Sequence, residues 1–595
     1  MRRIALILVL CLAFCAFSCV HAETAWDVTA LQTEPDSLKV EVRLPGMERL
    51  ANNYHGDSVK LIFRMSRDRD VSQEEEFLVK LEEFDDENAI TVELPYFGKW
   101  VLTAEYMTGD VIIKREGNIP VPLAATEVNV ITATATTDTL IEALKWFTGD
   151  GSVDTGIPTI VNLNRYRAFD WDNLPENMYR NPLETVSENE SAQNYNDRVA
   201  HLSGYVKMLL EINPEMRFNF YVNDMHIYTL GSMCYANNIP DGQYTVTMVT
   251  DGSATYTAFR SAYAGENAQA KHEALTEQAK AYKEGARSGE VRDFTVNSAA
   301  KLKPLVYALL DVEEAAGNPV RWWVVRRSAD TFGLDDADFQ AKVMADTRIS
   351  NNYINNLLAA MSAAGNDDKF RTLYSFDDEI FAAAREQGKK LMVFIGTSPS
   401  LEKTYPPFDY MKFIAAYYAD EYAYYYKGHP GNYRLDSEEA QAPYKALGVD
   451  MLDASIAAEL FIYFNPDICL AGYESSLYQN IGEEEQDVAL FRRTYQTASA
   501  DPNLSMYADK MDVYIADMLN TEDTFTFAGN EEAMKILEAV LKAVPAEEQN
   551  DHNYLIEFNN NGKHVNDHDF AIWNADREVI HYLTGSMEEG LAIAE

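Results

Sequence analysis

Hydrophobic and polar positions alternate strictly through Leu38-Lys39-Val40-Glu41-Val42-Arg43-Leu44, the two-residue period of a strand with one wet face. Comparable short runs follow at 58–65, 76–82, 89–94, 98–107 and 110–114, separated by Gly, Asp and Asn. No helical period intervenes. Strands at this spacing predict an antiparallel β-sandwich of immunoglobulin-like type over residues 23–122, with Asn118-Ile119-Pro120-Val121-Pro122 as a stiff link out of it.

The period changes from residue 127. Predicted strands at 128–131, 159–163, 216–222 and 244–249 alternate with predicted helices at 139–147 and 199–212. A mostly helical stretch runs from 264 to about 385. The strand-helix pattern then restarts, with strands at 390–395, 422–426 and 467–471, helices at 410–419 and 452–464, and a further helix starting at Ser475. These lengths predict two doubly wound, Rossmann-like α/β units, 126–385 and 386–595, behind the sandwich. At 595 residues the chain exceeds what one core sustains, so a multidomain reading agrees with its length.

Charge narrows the partners. There are 94 acidic residues against 50 basic ones, a net charge of -44, which excludes a nucleic-acid backbone as ligand. Residues 1–22 read as a secretory signal, with Arg2 and Arg3 before an apolar run and Val20-His21-Ala22 as the cleavage site. Ala16-Phe17-Ser18-Cys19 also reads as a weak lipoprotein box, which would tie the chain to a membrane only through a lipid on Cys19. The expected location is therefore secreted, cell-surface or periplasmic. Three of the five cysteines fall in this leader, leaving Cys234 and Cys469 and no disulfide framework.

Candidate chemistry collects at strand ends. Asp251, in Thr250-Asp251-Gly252-Ser253, directly follows a strand and reads either as an Asp-Gly turn or as a general base in the crevice of a parallel sheet. Asn223 and His226 close the preceding strand, and Arg165 follows the strand before that, as possible substrate contacts or plain structural side chains. In the second unit, Lys427-Gly428-His429-Pro430 ends a tyrosine-rich strand. Ser475 and Ser476 stand where a strand turns into a helix, as a phosphate clamp or an N-cap. Glu459 on a predicted helix can accept ribose hydroxyls, and Gly396-Thr397 ends the strand that opens this unit.

Taken in order, the Asp-Gly-Ser, Lys-Gly-His-Pro and Ser-Ser-Leu-Tyr motifs resemble those of the bacterial sialyltransferases of glycosyltransferase family 80, over roughly residues 126–500. The resemblance implies a two-Rossmann, GT-B type fold and inverting, metal-independent transfer of sialic acid from CMP-sialic acid to a glycan hydroxyl, without a cofactor. It implies Asp251 as base, His429 at the leaving phosphate, Glu459 and Lys427 on the nucleotide, and Ser475 with Ser476 as the phosphate clamp. Some members also carry an immunoglobulin-like domain in front. Three departures stand out: Thr250 replaces the first acid of the family's Asp-Asp-Gly, Gly431 replaces an arginine after His-Pro, and neither Trp322 nor Trp323 aligns with the family's acceptor-contacting tryptophan. The competing readings are a catalytically degenerate secreted glycan-binding or adhesive protein, and a transferase of another nonulosonic acid.

Overall fold

The computed structural model describes residues 28–32, 39–67, 70–95, 100–121, 126–181, 191–396, 411, 421–430, 435, 437–473 and 477, together with five strands between 488 and 583. The amino-terminal part contains two antiparallel sheets. One orders Thr29–Gln32, Lys39–Arg43 and Ala89–Glu93; the other orders Asp70–Lys80, Ser58–Arg67, Trp100–Thr108 and Val111–Pro120. Val40 and Val42 are buried between wetter neighbours, as alternation requires, and share a core with Leu61, Phe63, Leu102 and Tyr106 of the second sheet. Two details depart from the sequence reading. Met47–Tyr54 is a helix, and 118–120, read as a linker, completes an exposed edge strand that bulges against Leu102 and Ala104.

The first α/β unit is a seven-stranded parallel sheet. Its order is Met178–Arg180, Thr159–Leu163, Glu127–Ala133, Arg217–Asn223, Tyr244–Val249, Val320–Val324 and Ile349–Asn351. Thr159–Leu163 is buried at every position, as expected of a strand covered on both faces. The last two strands lie inside the stretch expected to be helical. Val320-Arg321-Trp322-Trp323-Val324 is too short a buried run for its period to separate strand from helix.

The second unit is built on parallel strands Val449–Leu452, Tyr422–Lys427, Lys390–Ile395, Ile468–Tyr473, Val488–Arg492 and Val513–Met518, continued by three antiparallel strands to 583. The helix predicted at 452–464 is shorter than expected. Residues 449–452 pair with the Tyr422–Lys427 strand, and the helix runs Ala458–Phe464.

The two parallel sheets are tied by helices Ile354–Ala363 and Asp367–Leu373, which follow the first sheet and lie against the helix Thr136–Thr148. Phe370 meets Phe147 edge-on at 5.7 Å, while Phe376 and Phe381 meet Phe461 and Tyr425 of the second unit at 5.1 and 4.8 Å. A single apolar cluster therefore includes Leu140 and Val161 from one sheet's side and Val393 and Leu470 from the other's. This shared core fixes how the carboxyl ends of the two sheets face each other.

Candidate active site

Both sheets end at one cavity of about 280 Å³. Its wall on the first unit is made by Ala135, Thr136 and Thr137 at the start of a helix, Arg165 after the second strand, and Asp251, Ser253 and Ala254 after the Tyr244–Val249 strand. The opposing wall carries Gly396, Lys427, His429, Glu459 and Leu477. Six residues singled out from sequence (Arg165, Asp251, Gly396, Lys427, His429 and Glu459) thus share one space. Thr397, Ser475 and Ser476 lie outside the described residues.

Asp251 sits where a turn must be tight. Gly252 adopts φ +107, a backbone that side-chain-bearing residues rarely take, and a Cβ there would approach Thr137 Oγ1 to 3.1 Å. Thr250, standing for the missing acid, is buried and structural. Its hydroxyl accepts from Gly252 N at 3.1 Å and donates to Thr255 Oγ1 at 2.9 Å. The Asp251 carboxylate accepts from Asn223 Nδ2 at 3.0 Å. Burial pushes its pKa up to about 6, against the opposing pull of the Asn223 hydrogen bond and the Arg165 charge.

Asn223 and His226 do not line this cavity. Asn223 is fully buried; its carbonyl accepts from Met225 N at 2.8 Å, so its amide nitrogen is aimed at Asp251 and, at 2.6 Å, at Asp138 Oδ2. His226 packs edge-on to Tyr195 and lies 3.2 Å from Tyr228 Oη through Nδ1, and burial lowers its pKa to about 4. The structure places Asn223 as an internal support behind the wall and His226 against Tyr195 and Tyr228. Trp322 is also internal, donating Nε1 to Asp224 Oδ2 at 2.9 Å, and Trp323 is buried beneath Lys145.

On the second unit, Lys427 is the last residue of its strand and is almost wholly buried. Its Nζ donates to the carbonyls of Gly428 at 2.8 Å and Ala454 at 3.0 Å. Burial lowers its pKa to about 8, with Asp453 and Glu459 opposing that fall. His429 follows two residues later, and its pKa is lowered to about 4 by burial and then by the Arg165 and Lys427 charges. Arg165 therefore acts electrostatically on Asp251 of one wall and His429 of the other. At neutral pH the cavity presents two cations, a neutral imidazole, the Asp251 carboxylate close to its titration point and the carboxyl group of Glu459.

Two acids in the supporting shell were not anticipated from sequence. Asp224, the neighbour of Asn223, accepts from Trp322, Thr255 and the Asp251 backbone N–H, and burial raises its pKa to about 8. Asp138, three residues into the helix Thr136–Thr148, is the other. Its position resembles an ordinary first-turn acid, so spacing alone carries no signal of its contact with Asn223. Among the described residues, no group of three or more His, Cys, Asp or Glu side chains is placed to hold a metal ion.

No family model matches the chain, and no curated protein matches it. Among solved structures it is similar to a 2,6-sialyltransferase from a Photobacterium species in a ternary complex with CMP and lactose, at TM-score 0.48 and 14% identity, covering 79% of this chain and 92% of that one. It is also similar to an α/β-galactoside α-2,3-sialyltransferase from Photobacterium phosphoreum, at TM-score 0.45 and 13% identity, covering 64% and 95%. A third similar structure is the UDP-GlcNAc 2-epimerase of Neisseria meningitidis, at TM-score 0.37 and 9% identity, covering 64% and 86%.

Proposed function

We propose that the protein is an inverting sialyltransferase of GT-B type that moves sialic acid from CMP-sialic acid to a galactoside-type hydroxyl. The observation that carries this reading is the meeting of Asp251 and His429 across one cavity, with Arg165 acting on both. The three ordered motifs support the chemical identity, and the cavity shared by Asp251 of the first motif with Lys427 and His429 of the second supports their acting together.

In this reading the acceptor hydroxyl attacks the anomeric carbon as the bond from that carbon to the CMP phosphate breaks. The hydroxyl proton passes to Asp251 as the new glycosidic bond forms, and the bonding pair leaves with CMP. An alcohol is far less acidic than the Asp251 carboxyl, so transfer accompanies bond formation, and such general-base assistance contributes about 10²–10⁴-fold. Charge on the departing phosphate is met by Lys427 and His429 in place of a metal, with Ser475 and Ser476 as hydroxyl donors. Glu459 takes the ribose hydroxyls, Gly396 and Thr397 admit the nucleotide close to the backbone, and Arg165 pairs with the donor sugar's carboxylate.

The test is direct. Purified mature protein given CMP-sialic acid and lactose should release CMP and form sialyllactose. Asp251→Asn should abolish transfer while CMP still binds. Donor binding without turnover on a range of acceptors would instead favour a glycan-binding protein.

A further inference from the structure

Asp138 is a fully buried carboxyl that the proposed reaction does not use. Its Oδ1 accepts the backbone N–H groups of Ala135 at 2.9 Å and Thr139 at 2.8 Å. Its Oδ2 accepts Thr134 N at 2.7 Å and Asn223 Nδ2 at 2.6 Å. A first-turn acid needs only the backbone part of this set to cap its helix. The fourth bond is of another kind, because the same Asn223 nitrogen donates to Asp251 Oδ1 at 3.0 Å. Met225 N–H holds the Asn223 carbonyl, so the amide cannot turn to offer an acceptor to either acid. Two carboxyls are thereby held one nitrogen apart, Asp138 out of water and Asp251 at the cavity wall, with a donor between them that carries no charge.

We infer that Asp138 is a positioning residue for Asp251: through the Asn223 amide, which it holds from behind, it fixes the base's carboxylate, and the two carboxyls are coupled across that one nitrogen. Like charges this close titrate as a pair, and their coupling is reciprocal. The groups around the pair are Arg165 and Asp224 beside Asp251, and Glu142, Tyr195 and Tyr374 beside Asp138. Arg165 is the cation among them that opposes the coupling at Asp251, where it favours the anion. Glu142 lies one turn along the same helix; it is buried, and its carboxyl oxygens have no hydrogen-bond partner among the described residues, so burial holds it as the neutral acid and it adds little charge. Burial and the Asp251 charge raise Asp138 to about 7. The pair therefore loses its second proton near neutral pH.

The inference rests on Asp251 being the base, and two measurements separate the two ideas. The first separates kcat from KM in Asp138→Ala, or in Asp138→Ser should the alanine variant not fold, since a serine hydroxyl can still accept a neighbouring backbone N–H. With the Asn223 amide no longer held from behind, kcat should fall about tenfold while KM changes little, because Asp138 touches no substrate. A residue that only caps its helix would cost thermal stability and leave kcat in place. The second is an infrared titration of donor-free protein labelled with 13C at the aspartate carboxyl. Asp251→Asn should remove one step and move another aspartate down. An unchanged kcat in a folded Asp138 variant, or Asp251→Asn leaving every other aspartate where the wild type has it, overturns the inference. If the infrared shift is seen in a protein that transfers no sialic acid, the proposed reaction fails and the coupling stands.

Discussion

Asn223 holds Asp251 by a single 3.0 Å hydrogen bond, although it lies behind the cavity wall and reaches none of the space a substrate would fill. Its adjacent neighbour Asp224 holds the same residue by the backbone, accepting Asp251 N–H at 3.1 Å. One strand end thus supports the candidate base twice, once at the carboxylate and once at the chain. Precision in general-base catalysis depends on such support, because a misplacement of about 1 Å can cost on the order of 10²-fold.

Replacing Asn223 by alanine should therefore damage turnover more than binding. We expect kcat to fall about 10–100-fold with KM changed little, since no substrate contact is lost. The sign of the pH effect also follows. The Asn223 hydrogen bond lowers the Asp251 pKa, so its removal raises that value and moves the acidic limb of the rate profile to higher pH. A raised KM with an unchanged limb would return Asn223 to the role of substrate contact.

For the wild type, Asp251 must be ionised to accept a proton. With its pKa raised to about 6, kcat/KM should climb as pH rises through about 6 and level off above it. An ordinary exposed aspartate would place that limb near pH 4. Initial rates from pH 4.5 to 8.5, with the donor held well below saturation, distinguish the two.

Where strand period and turn chemistry coincide, the site was legible in the sequence. Asp251 and His429 each stand two residues past a strand whose buried pattern is evident, and a Gly follows or precedes each in a way that marks the turn. Arg165 was placed by the same logic. His226 follows a strand end too, yet it does not line the cavity and packs against Tyr195 and Tyr228, because a strand-end position does not fix which way a loop side chain turns. Asp138 was illegible for a different reason. Its bond to Asn223 joins a helix start to a strand end 85 residues away, and no local pattern encodes that distance. The strand Val320–Val324 was hidden by its length, and the edge strand over 118–120 by two residues, Asn118 and Pro120, that usually mark loops.

His429 supplies a binding prediction. Its pKa is held near 4 by burial and by the Arg165 and Lys427 charges. A phosphate entering between those cations offsets their effect and favours the charged imidazole, so CMP binding should carry proton uptake at pH 6 to 7. Calorimetry in buffers of different ionisation enthalpy reads this directly. The phosphate's own ionisation contributes equally in wild type and in His429→Ala, so the difference isolates the imidazole. Wild type should take up more protons than the variant and bind CMP about tenfold more tightly. Equal uptake would show that the ring stays neutral and acts only as a dipolar contact.

The last prediction concerns the turn that aims the base. At Gly252, φ is +107, and a methyl group added there would meet Thr137 Oγ1 at 3.1 Å. Alanine at this position costs about 1–3 kcal/mol in backbone strain, and relief of that strain must move the peptide that carries Asp251. Gly289 provides the matched control. It too is left-handed, at φ +78, but nothing lies within 4 Å of its added carbon, and it terminates a helix away from the cavity. Gly252→Ala and Gly289→Ala should both lower the melting temperature by a few degrees. Only the former should cut transfer tenfold or more, with CMP binding retained, because Lys427 and His429 stand on the opposite wall. Equal activity in the two variants would mean that Asp251 tolerates displacement, and the case for it as the proton acceptor would fail.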